Sequence, residues 1–436
     1  MTDAAPPSAT RVPLVERRSS APETGARPSI AYELSGSAVF GPALRGAALM
    51  VPTLGLHRFW MITRLRRLIW GAVRIDGEPL EYAGRPLELF FGFLAAVVAL
   101  AVVLGLANLA LLFAGLVGEW NLTLAFNASL PLLAPLGYYA RYRARRYLAS
   151  RTRWRGIRFG MAPGAGAYSL HATGHLVLTI LSLGMLYPRM QVMLAARRQS
   201  ATWYGDHRFV QSARWRALMK VWLAAWALPL LVLVLAMGQV FKLIYVVFPE
   251  HDLVLRQEFD PAMAEPFLNA ALSVGGTVAL AALISWPLRR RYDAAVERAL
   301  MDGLALGSLR FASTLRTGAL LLVDVKTVAL YAAAVGFGAV MAWALIVSVA
   351  LSVRGVDLSA FGGLASALAA VAGYALVIIP FIAARWVTAV HWPLQARLDA
   401  LTLTGLDGLS DIRQRQDDAA RESGGLADAL DVGAGF

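Results

Sequence analysis

The feature that most constrains this chain is a set of long apolar runs, because a helix needs about 20 apolar residues to cross a hydrocarbon core of about 30 Å. Six segments meet that length: 87–117, 121–142, 221–247, 267–288, 327–351 and 361–384. Composition agrees, since 58% of the 436 residues are hydrophobic and 16% charged, where soluble domains carry about 25% charged residues. The chain therefore reads as one polytopic membrane domain over 36–410, between a disordered cytoplasmic tail (1–35) and a flexible one (411–436). The expected fold class is all-α: six spanning helices, two re-entrant or interfacial helical elbows, and short β-hairpin-like cytoplasmic segments.

The elbows are segments 37–62 and 166–192, each with a breaker inside it, Val51-Pro52-Thr53-Leu54-Gly55 and Leu181-Ser182-Leu183-Gly184. Arginines flank both ends of each: Arg17 and Arg18, then Arg58, Arg64, Arg66 and Arg67; Arg153, Arg155 and Arg158, then Arg189, Arg197 and Arg198. Arginine-rich ends stay on the cytoplasmic side, so each elbow is expected to enter and leave on that side, turning at its glycine. A plain spanning helix is the alternative reading of each. The six spans then form three out-and-back hairpins, 87–142, 221–288 and 327–384. The tip from Pro249 to Pro266 holds Glu250, Asp252, Glu258, Asp260 and Glu265 against Arg256, whereas 141–158 holds eight arginines and no acid. Both termini are expected to be cytoplasmic.

The absence of cysteine excludes disulfides, zinc–thiolate sites, iron–sulfur clusters and thiol nucleophiles. The net charge of +13 is an excess of arginine, the lysines being Lys220, Lys242 and Lys326 alone. With no soluble domain to carry a nucleic-acid interface, that charge points to the bilayer and its anionic headgroups as partner. A protein partner stays undefined.

A shared plan recurs along the chain. Thr53-Leu54-Gly55-Leu56 with Phe59-Trp60 matches Ser182-Leu183-Gly184-Met185 with Tyr187-Pro188, and a basic helix follows each. Alternating stretches around a glycine come next, Val73 to Tyr82 and Thr202 to Phe209, with related versions at Arg151 to Phe159, Gly303 to Phe311 and Leu401 to Gly408. These read as a reused cytoplasmic module that pairs as short strands at the membrane face. Five independent surface turns are the other reading, because isolated two-stranded hairpins are marginal.

The run Thr53-Leu54-Gly55-Leu56-His57-Arg58-Phe59-Trp60 through Arg64, Arg66, Arg67, Trp70, Arg74, Asp76-Gly77 and Tyr82, with Arg151 to Phe159 and Leu183 to Phe209, resembles the YjgN family of bacterial inner-membrane proteins, a domain of unknown function. The likeness covers about 50 to 320. Beyond it the family's last elbow is replaced by a longer apolar hairpin, and the closing motif survives as Trp392-Pro393-Leu394 with Arg397. The resemblance implies a bacterial inner membrane and no established activity.

Among chemistry-bearing residues, His171 and His175 stand at i, i+4, a spacing that metal sites use. No glutamate lies between them and no cysteine exists, so they read as histidines bonding across the bundle or lining a wet crevice, and no metal or other cofactor is expected. Arg45 lies in the first elbow arm, which its charge makes shallow or protein-facing. Asp324 and Lys326 read as interfacial anchors. No Gly-rich nucleotide loop, Gly-x-Ser-x-Gly elbow or His-Glu-x-x-His helix appears, so the chain is not expected to be an enzyme. A transport or lipid-handling role is the leading expectation, and a non-catalytic scaffold with an arginine-rich cytoplasmic face is its alternative. The candidate site for anionic lipid or phosphate is Arg64, Arg67, Arg141, Arg145 and Arg146, since the guanidinium fork binds phosphate bidentately.

Overall fold

The computed structural model describes residues 29–117, 133–247, 264–352, 362–409 and 412–414. Its organising element is a ten-stranded antiparallel sheet in which every strand pairs with its neighbours in the chain. In order these are β1 (Ile30–Tyr32), β2 (Val73–Ile75), β3 (Glu78–Tyr82), β4 (Thr152–Trp154), β5 (Ile157–Met161), β6 (Thr202–Tyr204), β7 (His207–Gln211), β8 (Leu304–Leu306), β9 (Leu309–Ser313) and β10 (Leu401–Thr404). At the open seam the Leu403 backbone N–H donates to Ser29 Oγ at 3.1 Å, so the sheet is a nearly closed ring.

This ring corrects the all-α expectation. The glycine-centred modules do not act as isolated turns; each hairpin pairs with the next, as where Leu80, Glu81 and Tyr82 face Trp154, Arg153 and Thr152. Strands of three to five residues carry too few alternations to announce a sheet, and only their mutual pairing makes them stable. One apolar cluster gathers Tyr32, Val73, Tyr82, Trp154, Tyr204, Leu306, Leu309 and Leu403 from eight of the strands, with Ile69 and Trp70 beneath. The Tyr204 hydroxyl donates to the Trp154 carbonyl at 3.0 Å inside it, and burial pushes its phenol up to about 12.

Turn chemistry sets the register. Asp76-Gly77 and Arg155-Gly156 both have positive φ at both central positions (51° and 80°, 49° and 76°), as type I′ turns require. Gly205 and Gly307, each at φ 56°, take the first position of the other two hairpins, where a type II′ turn calls for glycine.

In such a meander the tight turns lie along one edge, and every longer connection leaves from the other. Those connections are helical. The β1–β2 link is α1 (Gly36–Met50) and α2 (Arg58–Ala72); the β3–β4 link is α3 (Pro86–Val117) and α4 (Leu133–Arg151); the β5–β6 link is α5 (Ala165–Leu181) and α6 (Tyr187–Ser200). Between β7 and β8 come α7 (Met219–Val247) and α8 (Ala264–Asp302), and between β9 and β10 come α9 (Thr317–Ser352), α10 (Gly362–Trp386) and α11 (Trp392–Asp399). All five helical excursions therefore start from and return to one edge of the ring.

Five stretches among the described residues are long and apolar enough to cross a membrane: Pro86–Phe113, Trp215–Phe241, Leu268–Asp302, Thr317–Ser348 and Val371–Asp399. They make the chain a multi-pass membrane protein. Of the sixth expected span, 121–142, the part before residue 133 lies outside the described residues, and its end forms α4. The elbow arms are shorter. α1 and α2 have 15 residues each, about 22 Å at about 1.5 Å per residue, against a core of about 30 Å.

The internal repeat is closer than its sequence suggests. The pairing Ile30↔Ile75, Ala31↔Arg74, Tyr32↔Val73 recurs as Phe159↔Tyr204, Gly160↔Trp203, Met161↔Thr202 at one constant offset. The same offset carries α1 onto the start of α5 and α2 onto that of α6. Two further segments depart from the expected tails. β1 lies within 1–35, and Ile412 is buried in the ring's apolar cluster, while Gln414 Oε1 accepts from the Arg158 backbone N–H at 2.7 Å.

Candidate functional site

The first elbow builds its turn from backbone geometry that only a few residues accept. Gly55 (φ 87°) donates its N–H to the Met50 carbonyl at 2.7 Å, and Leu54 beside it is also left-handed at φ 50°. The Thr53 hydroxyl closes the turn, donating to the Leu49 carbonyl at 2.7 Å and accepting from the His57 N–H at 3.1 Å. The second elbow repeats the plan with one shift: Gly184 N–H donates to Thr179 O at 2.7 Å and the Ser182 hydroxyl accepts from Leu186 N–H, but that hydroxyl donates three residues back, to Thr179 O at 3.0 Å, rather than four.

Above the first turn the arms pack closely, because Gly46 offers no side chain against Met61, whose Cβ stands 2.9 Å from where a glycine-replacing Cβ would lie. Arg45 and Arg64 are equally far in sequence from the Leu54-Gly55 turn, so the hairpin brings them to one level. Together with Arg67, His57, Trp60 and Pro86 they line a cleft of about 390 Å³. Arg45, Arg64 and Arg67 are all exposed. Arg67 Nη2 donates to the Gly84 carbonyl at 3.0 Å, and the His57 and Trp60 rings stack with centroids 6.4 Å apart. Among the described residues no carboxylate lines the cleft. Three positive charges in a partly apolar pocket attract an anion, and a guanidinium fork suits a phosphate.

The five arginines singled out from sequence do not converge. Arg64 and Arg67 line the elbow cleft. Arg146 lines a different one of about 480 Å³ with Tyr139, Tyr142 and Arg143 at the start of α5, and its Nε donates to the Met161 carbonyl at 3.2 Å. Arg141 lies over the Tyr138 ring at 5.7 Å, and Arg145 is exposed. Arg45 also lines the cleft; along the chain it is a lone charge in an apolar arm, and its symmetry with Arg64 about the turn is the sequence signal that pairs the two.

The second elbow is held differently. Trp222 Nε1 and Trp226 Nε1 of α7 donate to the Gly184 and Leu183 carbonyls at 3.1 and 2.7 Å, clamping its turn to a span. Asp324, read from sequence as an anchor, is gripped by Arg290 through two 2.6 Å bonds and by Trp286 Nε1 at 2.7 Å. The two histidines of α5 meet edge to face, centroids 4.7 Å apart. Among the described residues no group of three potential ligands surrounds a metal position. His391, in a π-helical segment between α10 and α11, pairs through Nδ1 with the Tyr32 hydroxyl at 2.8 Å, tying the last excursion to the first strand.

Comparison with known proteins adds a family. No curated protein and no solved structure matches the chain. A family model described as "Bacterial protein of unknown function (DUF898)" matches residues 28–373, a stretch that takes in β1 to β9 and both elbows and ends within α10. That is the family to which the elbow and hairpin motifs pointed, and the chain belongs to it.

Proposed function

We propose that this protein is a lipid-handling protein of the bacterial inner membrane, with its β ring and both termini on the cytoplasmic side, and that the first elbow binds the headgroup of an anionic phospholipid. The observation that carries the reading is the cleft of Arg45, Arg64 and Arg67, which among the described residues holds three cations and no carboxylate where two short helices meet the start of a span. Elbow arms of about 22 Å bring that cleft near the headgroup level if the tips dip into the hydrocarbon.

The tips suit such a position. Leu54 is 93% exposed yet keeps a left-handed backbone that costs a leucine about 1–2 kcal/mol, and Leu183 repeats both features at 74% exposure and φ 51°. Strain retained at a bulky apolar tip has a rationale when the side chain enters lipid. The test is lipid retention. Protein extracted gently and analysed by native mass spectrometry is expected to keep phosphatidylglycerol, and Arg45→Gln with Arg64→Gln to lose it. Equal retention by the double variant would refute the assignment.

A further inference from the structure

A cleft of about 750 Å³ lies between α7 and α8 and is unrelated to the first elbow. Pro229 sits inside α7 and Pro287 inside α8. A proline within a helix loses one backbone hydrogen bond and favours a bend, and Pro229 itself lines the cleft between this packed pair of helices. The wall toward the spans is apolar, from Ala225, Leu230, Leu233 and Ala282. Trp222, Trp226 and Trp286 ring the middle, as aromatic side chains do at a membrane interface. The polar end is formed by Arg289, Arg290 and Asp293.

The charges at that end differ in kind from those of the elbow cleft. Arg290 is committed to Asp324 through two 2.6 Å bonds and reaches Asp293 Oδ2 at 3.2 Å. Arg289 meets Asp293 Oδ1 only loosely, at 3.4 Å, with its side chain about half exposed. It is nonetheless held in place, its guanidinium over the Tyr187 and Trp222 rings at 5.2 and 5.7 Å and its Nη2 donating to the Tyr187 hydroxyl at 3.1 Å. Two arginines and two aspartates therefore leave no net charge, but the Arg289–Asp293 pair is loose and solvent-accessible, with Asp293 Oδ1 engaged only by that 3.4 Å contact while Oδ2 is held by Arg290.

We infer that this cleft is a second lipid site, selective for a zwitterionic phospholipid with a primary ammonium, of the phosphatidylethanolamine class. The acyl chain fills the apolar part of the cleft, against Ala225, Leu230, Leu233 and Ala282. The phosphate accepts from Arg289, and the ammonium donates to Asp293, so that the lipid's two charges replace the loose pair without leaving an uncompensated ion. A choline headgroup carries no N–H to donate to Asp293. A purely anionic headgroup satisfies Arg289 but sets a second negative charge beside the carboxylate.

The test uses the full chain in nanodiscs of phosphatidylethanolamine, phosphatidylcholine and phosphatidylglycerol in equal parts, with retained lipid read by native mass spectrometry. The wild type is expected to retain one phosphatidylethanolamine in preference to phosphatidylcholine. Asp293→Asn, which removes the ammonium's partner, and Ala282→Trp, which fills the gap, are each expected to weaken that retention about tenfold while phosphatidylglycerol retention stays unchanged. If Asp293→Asn loses every lipid alike its fold has failed, and Ala282→Trp, which leaves the ion pairs intact, decides. Unchanged phosphatidylethanolamine retention in Ala282→Trp, or no preference over phosphatidylcholine in the wild type, would overturn the inference. Loss of phosphatidylglycerol on changing Arg45 and Arg64 is a separate result and bears only on the elbow.

Discussion

Replacing Arg45 or Arg64 by glutamine isolates the binding role of the elbow cleft. Both side chains are exposed, and neither has a carboxylate partner among the described residues, so removing either charge orphans no buried group. Each arginine near a membrane surface adds about 1 kcal/mol of attraction to anionic lipid, and a direct charge-assisted hydrogen bond is worth about 1.5–3 kcal/mol. Exposure favours the lower end, so each single variant should weaken phosphatidylglycerol binding about five- to tenfold. The double variant should fall short of the product, because the two groups share one ligand. Arg67→Gln should differ, since it also strips a donor from the Gly84 carbonyl and so lowers the thermal unfolding midpoint as well. Lipid titration by native mass spectrometry, with unfolding measured on the same samples, separates these outcomes. If Arg208→Gln, on an exposed strand position remote from the cleft, weakens binding as much as Arg64→Gln, the attraction is diffuse and the cleft is no site.

Three further outcomes follow from the packing. Gly46→Leu overpacks the first elbow against Met61 and should cost about 1–3 kcal/mol, with partial recovery in Gly46→Leu, Met61→Ala; unfolding midpoints that do not couple would refute the contact. Trp222→Phe with Trp226→Phe frees the second turn from α7 and should raise hydrogen exchange at 182–186 but not at 53–57. Tyr204 has its pKa raised from 10.0 to about 12, so the folded state holds that proton more tightly than the unfolded one. Its stabilisation is complete below pH 10 and lost as pH rises toward 12, and Tyr204→Phe should flatten that part of the stability profile.

Five of the six expected apolar spans, and the helix–turn–helix form of the two elbow segments, were legible because apolar length and glycine punctuation are local signals. The turn residues Asp76-Gly77 were equally plain, and so was the placing of the basic modules at the ends of the helices. The ring was not legible, since its pairings join hairpins separated by whole membrane excursions, such as β3 with β4 across α3 and α4. Arg45 escaped because a single arginine in an apolar arm says nothing of what faces it until the turn is folded. The grip of Arg290 on Asp324 and of Trp222 and Trp226 on the second turn are likewise contacts between helices, invisible to periodicity along any one of them. Ile412 was hidden for another reason: it is one apolar residue in a polar tail, and burial depends on the ring cluster it completes.

Topology gives the most direct test: the ring is expected on the cytoplasmic side, with every helical excursion returning to it. The chain has no cysteine, so single cysteines can be placed at Glu78, Asp206 and Ser308 beside the tight turns, and at Asp252 between α7 and α8, and probed with a membrane-impermeant thiol reagent on intact cells. Labelling at Asp252→Cys alone, with the three ring positions reacting only after permeabilisation, is the expected pattern. Labelling of any ring position from outside the cell would contradict it.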